Sequence, residues 1–155
     1  MQEIVYKPIG VIHSPFADVE GMPIQPRAAS GIQGSIQLNP DLAAGLKDLE
    51  GFSHVILIYH FHLSKRYSLE VKPFLDDTQR GVFSTRVPAR PNAIGLSVVR
   101  LTGVSGSTLT IEDVDVVDGT PLLDIKPFVP DFDNREAQRT GWLTNQASRV
   151  NEVRA

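Results

Sequence analysis

The sequence contains no cysteine, which excludes a disulfide framework and every thiolate-bound metal. Aromatic residues make up only 7% of it, and its longest purely apolar run is Val55 to Tyr59. So short a run falls far below the ~18 residues that would mark a membrane span. The opening stretch MQEIVYKPIGVIHSPF lacks the apolar segment of a signal peptide, so the cytoplasm is the expected compartment. The net charge of −3 rules out a protein that coats nucleic acid by charge alone, although a local basic patch can still contact phosphates. A further absence is local: from Thr78 to Ile111 there are four arginines and no acidic residue.

What remains is the material of one globular domain. A chain of 155 residues with 41% apolar and 21% charged side chains can bury roughly two-thirds of its unfolded surface. Period-two alternation rich in β-branched residues runs through Ile4 to Ser14, Gly34 to Leu38, Ser53 to His62, Gly95 to Val104 and Thr108 to Val117, which predicts a mainly β chain. Turns such as GVSGSTL, Gly103 to Leu109, where two glycines allow positive φ, predict antiparallel neighbours in a small barrel or packed sheet. One short helix of two or three turns is expected over NPDLAAGLKDLEGF, with Asn39 as cap, Pro40 at the first helical position and Gly51 beyond the end. Residues 1–130 are expected to form the barrel domain and 131–155 a polar tail, helical or mobile, anchored by Gly141-Trp142-Leu143.

Four segments stand out chemically. The arginines Arg80, Arg86, Arg90 and Arg100 are followed by Glu112, Asp113, Asp115, Asp118 and Asp124. If those segments pair as strands, opposite charges face each other and form either surface ion pairs or a seat for a ligand carrying both signs. The triplet Asp118-Gly119-Thr120 invites comparison with haloacid dehalogenase phosphatases, but Val116 occupies their nucleophile position, which removes the covalent route. A β-turn whose Asp accepts backbone hydrogen bonds is the plainer reading. In SHVILIYHFH, His54, Ile56, Ile58, His60 and His62 share one strand face. His60 and His62 there raise a cupin-like metal enzyme as an alternative, although no carboxylate stands at cupin spacing and the polar wall of a cleft explains them as well. In PIQPRAASG, Pro26 sets the backbone before Arg27, and small residues leave room for a planar ring beside it.

Together IGVIHSPF, PRAASG, LEGFSHVILIYHFH, GVFSTRVPARPNAIGLS and DVVDGTPLLDIKPF resemble the TsaA/TrmO family, S-adenosylmethionine-dependent methyltransferases acting on the modified adenosine 3′ to the tRNA anticodon. The resemblance runs from about Ile9 to Phe128. It implies a non-Rossmann β-barrel homodimer with the methyl donor near the subunit interface, and no G-x-G-x-x-G follows any strand-like run. No metal is implied. Carried over by matching motif, the donor-binding positions are Pro26, Arg27, Ala28, His62, Leu63, Arg86, Leu96, Asp118, Gly119, Thr120 and Pro121.

The resemblance further implies that Arg86 pairs with the donor carboxylate, while Asp118 or its turn takes the ammonium or the ribose hydroxyls. Pro88 and Pro91 would stiffen the loop. Asn92 is the candidate catalytic residue, orienting the adenosine amine. Longer bacterial members continue into a second domain. Without its share in holding tRNA, the phosphate contacts are expected from Arg80, Arg90 and Arg100 or from a partner protein, unless the substrate is another adenosine. RPNA here replaces the family's usual RPNP. A non-catalytic S-adenosylmethionine-binding protein is the second reading.

Overall fold

The computed structural model describes residues 1–20, 22–23, 29–74 and 76–144. In chain order the strands are β1 (Gly10–His13), β2 (Gln33–Leu38), β3 (His54–His60), β4 (Glu70–Val71), β5 (Arg80–Gly81), β6 (Ile94–Ser105), β7 (Thr108–Glu112) and β8 (Thr120–Pro127). Six of them close an antiparallel barrel in the order β1-β2-β7-β6-β3-β8, and β4 pairs with β5 alone. Closure leaves the barrel no open edge.

The alternation read from the sequence is the wall of this barrel. Val55, Leu57 and Tyr59 of β3 point inward with Val99 and Leu101 of β6, and they meet Ile12, Ile36, Leu109, Ile111 and Leu122 in one core. Each such side chain leaving water contributes on the order of 2 kcal/mol. The β6–β7 hairpin turns at Gly106, whose φ is 60°. Gly103 adopts no positive φ and instead borders the register shift between Leu101 and Gly103.

Three local expectations are corrected. The strand expected from Ile4 begins only at Gly10, and residues 1–8 form an exposed arm; Pro8 has no N–H for a ladder, and pairing resumes with Ile9 N–H on the Leu122 carbonyl at 2.7 Å. The expected helix is two 3-10 pieces, Pro40–Leu46 and Leu49–Gly51. Asn39 does cap, accepting from the Asp41 N–H at 3.0 Å, but Asp48 breaks the run with φ of 70°. The third correction concerns the histidines: β3 ends at His60 and His62 lies in a turn beyond it, so the two do not stand on one strand. Among the described residues no three His, Asp or Glu side chains converge as a metal-ligand set.

After β8 come the single turn α1 (Pro130–Asp133) and a 3-10 turn at Gly141–Leu143. Trp142 anchors there, donating from Nε1 to the Ser84 carbonyl at 2.8 Å while the Arg80 guanidinium lies 5.7 Å from its ring centre. Residues 145–155 of the expected tail lie outside the described residues. No helix among the described residues is long and apolar enough to cross a membrane.

Candidate functional site

Antiparallel closure sorts the connections by end. The C-terminal ends of β1, β3 and β7 and the N-terminal ends of β2, β6 and β8 lie at one mouth of the barrel. Three long connections, 14–32, 61–93 and 113–119, therefore emerge side by side. The other mouth carries the β6–β7 hairpin and the 3-10 pieces. Every described site residue expected from the sequence belongs to the first mouth: His62, Leu63, Arg86 and Asn92 on the second connection, Leu96 near the start of β6, Asp118 and Gly119 on the third connection, Thr120 and Pro121 at the start of β8. Pro26, Arg27 and Ala28 lie outside the described residues.

The two arginines of GVFSTRVPARPNAIGLS, Arg86 and Arg90, have different tasks. Arg90 is half-buried and donates from Nη1 to the carbonyls of Thr85 at 2.9 Å and Val87 at 3.2 Å. Ser64 donates to the Pro88 carbonyl at 3.1 Å, and Thr85 Oγ1 to the Val82 carbonyl at 2.7 Å. Arg90 thus folds the loop that carries Arg86, whose own side chain is exposed. Charge acts inward as well: the Arg86 guanidinium favours ionisation of the Tyr59 phenol, although burial dominates and holds that phenol well above its usual range.

The Asp118 turn is built as the plainer reading expected. Gly119 takes φ of 85°, open to glycine without strain, and Thr120 Oγ1 donates to the Val117 carbonyl at 2.6 Å. Asp118 Oδ1 accepts from the Ser14 N–H and meets His13 Nδ1, both at 3.1 Å. The backbone hydrogen bond from Ser14 is the largest cause holding this carboxyl below its ordinary range, with the His13 contact second. The turn is tied to β1, and about half of the Asp118 side chain remains exposed.

His62 differs in kind. Its Nδ1 is buried and has no hydrogen-bond partner among the described residues, an arrangement that costs free energy unless a ligand or solvent completes it. Burial, then the nearby His60 and Lys65 charges, lower its pKa from the ordinary histidine value, so the ring is held neutral.

Sequence reasoning missed a buried polar chain beneath this mouth. Tyr59 Oη lies 2.7 Å from Ser97 Oγ, which donates to Asp115 Oδ1 at 2.7 Å. Because Ser97 has one proton and gives it to Asp115, the Tyr59 hydroxyl donates to Ser97. Burial pushes the Asp115 carboxyl up to about 7, against the opposing Ser97 hydrogen bond. The signal was present: Ser97 shares the inward phase of Val99 and Leu101 on β6, and Asp115 sits between Val114 and Val116.

The expected opposition of charge occurs at Arg100 and Glu112, which face each other across β6 and β7. Arg80 instead pairs with Asp76 beside Trp142. Of the three arginines expected to contact phosphate, Arg90 alone lines a cavity of about 520 Å³ beside this mouth. Asn92 and Pro121 line it too, whereas His62, Leu63, Arg86, Leu96 and Asp118 do not.

Residues 11–134 match the family described as the tRNA-methyltransferase O N-terminal domain. A probable S-adenosyl-L-methionine-binding protein of Pyrococcus abyssi is 54% identical over 97% of this chain and 82% of its own. The tRNA (adenine(37)-N6)-methyltransferase of Mus musculus is 41% identical over 84% of this chain, which spans only 32% of the mouse protein. A crystal structure of TrmO from Pseudomonas aeruginosa superposes with a TM-score of 0.77 and 38% identity, over 91% of this chain and 63% of that one. With a match across residues 11–134 and such relatives along most of its length, this chain belongs to the TsaA/TrmO family.

Proposed function

We propose that the protein is an S-adenosylmethionine-dependent methyltransferase acting on the exocyclic amine of the modified adenosine 3′ to a tRNA anticodon. One observation supports the reading: the described positions expected to hold the donor fall at one mouth of the barrel, and among them is a buried His62 nitrogen that lacks a partner among the described residues. The donor set suits a zwitterionic ligand. Arg86 supplies a cation for a carboxylate, the half-exposed Asp118 an anion for an ammonium or ribose hydroxyls, and Leu63 and Leu96, both about half exposed, an apolar wall.

Bound S-adenosylmethionine supplies an electrophilic methyl group on a sulfonium, so no activated protein nucleophile is required. The chain's task is alignment and exclusion of water. Asn92 orients the amine in this reading, which its position in the same cavity as Pro121 of the Asp118 turn supports. The Arg90-braced loop holds Arg86 with little ordering left for the moment of binding.

The protein works as a homodimer in this reading. Ile56, Ile58, Val98, Leu96 and Ile94 form an apolar stripe on the outside of β3 and β6, a surface that a second copy would cover. The second reading, a protein that binds the donor without transferring its methyl, is favoured by the name of the Pyrococcus relative. Transfer of labelled methyl to tRNA, followed by nucleoside mass spectrometry, separates the two. The label should appear in the adenosine next to the anticodon, and donor binding without transfer would leave the second reading. Arg86→Ala should weaken donor binding in calorimetry by about 2 kcal/mol, and unchanged affinity would overturn its assignment.

A further inference from the structure

The cavity of about 520 Å³ is set apart from the donor residues by its charge and its faces. Lys65, Arg66 and Arg90 line it, together with Tyr6 of the N-terminal arm and Tyr67, and it contains no Asp or Glu. Among the described residues no carboxylate lies within ion-pair distance of those three cations, whereas Arg80 and Lys126 each have one. Two of the three are also held in place: Lys65 Nζ donates to the His62 carbonyl at 2.9 Å, and Arg90 to Thr85 and Val87. Tyr6 is 70% and Tyr67 59% exposed.

Uncompensated cations, two of them held in place, beside open aromatic faces match the needs of a single nucleic-acid strand. Phosphates seek positive charge irrespective of sequence, and unstacked bases gain by lying on tyrosine rings. The volume lies within the usual range of a ligand pocket. Asn92 and Pro121 join the cavity to the donor mouth, and His62, Leu63, Arg86, Leu96 and Asp118 stay outside it.

We propose that this cavity is the docking site of the acceptor strand, taking the single-stranded anticodon loop with its phosphates on Lys65 and Arg66 and a flanking base on Tyr67. The assignment rests on the tRNA-directed reading above and adds the place where the RNA lies. Arg90 contributes charge while bracing its loop. Arg80 and Arg100 take no part, the first being paired with Asp76 and the second standing on the far part of β6 opposite His54.

The test uses the full chain, a labelled anticodon stem-loop RNA and its dissociation constant across a salt series. Lys65→Ala with Arg66→Ala should weaken binding by ~10-fold or more and reduce the salt slope by about 1.4, the value for two lost phosphate contacts on a single strand. Tyr67→Ala should cost ~10-fold with the slope unchanged, and Tyr67→Phe should retain affinity. Lys47→Ala, an exposed cation at the opposite mouth, should bind as wild type does. Donor affinity by calorimetry should be the same in all of them. Wild-type RNA affinity in the double variant, with methyl transfer intact, would overturn the assignment and leave the cavity to a protein partner. Loss of donor binding would overturn it in favour of a donor pocket. If the unaltered chain methylates no RNA and binds none, the tRNA-directed reading itself falls, a result distinct from either.

Discussion

The outer wall of the barrel differs between its two halves. On β2 and β7 the outward residues are polar: Ser35 faces Thr110 and Gln37 faces Thr108, with Thr108 Oγ1 donating to Gln37 Oε1 at 2.9 Å. On β3 and β6 the outward pairs beyond the polar His54–Arg100 are Ile56 with Val98, Ile58 with Leu96 and His60 with Ile94. The inside inverts near the site, for Ser97 is buried on the same strand that exposes Leu96. An antiparallel wall with one solvated face normally alternates apolar in and polar out. The β2–β7 half obeys that rule, and the β3–β6 half departs from it on both faces, beside the candidate site. Departures from local consistency concentrate where a surface is kept for binding.

The largest expected effect sharpens the inner contrast. Asp115 titrates near 7 when folded, against about 3.9 unfolded. The folded state therefore holds a proton that the unfolded state has released between those values. Stability should fall as pH rises from about 4 to about 7 and level off above, by at most ~4 kcal/mol. Asp115→Asn keeps an acceptor for Ser97 and removes the titration, so urea unfolding at pH 5 and pH 8 should show a flatter profile. A slope identical to wild type would mean that the carboxyl stays ionised.

Next comes the outer contrast. If the β3–β6 stripe is the proposed dimer interface, Val98→Glu should place an unpaired charge in it, costing about 3 kcal/mol of association. Light scattering should then move from roughly 34 kDa, twice the 17.0 kDa chain, toward the monomer. Thr110→Glu on the polar half should change nothing. Equal behaviour of the two would dissolve the distinction.

The smallest effect concerns the point where the inner and outer walls meet. A Cβ on Gly95 would lie 2.3 Å from Tyr59 Cε2 and 2.7 Å from Phe61 Cζ, rings that pack edge to face at 5.5 Å. Gly95→Ala should cost about 2 kcal/mol by overpacking. A melting curve like that of the wild type would show that the rings can move aside.

Much of this was legible in the chain. The barrel class follows from period two, because a strand's side chains alternate whatever it pairs with, and the cap at Asn39 follows from its own side chain. Resemblance implied one site for His62, Leu63, Arg86 and the Asp118 turn; barrel closure brings these positions to one mouth, which their spacing along the sequence could not say. Where neighbours decide, the reading from sequence failed: the run from Ile4 had strand composition but no partner strand before Gly10, and the Pro40 helix was divided at Asp48.

By itself, the sequence determined which residues alternate, where turns are cheap and which segment carries cations without acids, since those properties belong to single residues and their near neighbours. The tertiary structure alone decided that Arg90 braces a loop while Arg86 stays exposed on it, that Tyr59, Ser97 and Asp115 form one buried hydrogen-bonded chain, and that three distant connections meet at one mouth. These depend on which strands lie side by side. Closing the barrel sets that arrangement by the joint burial of many side chains, a property no short stretch of sequence contains.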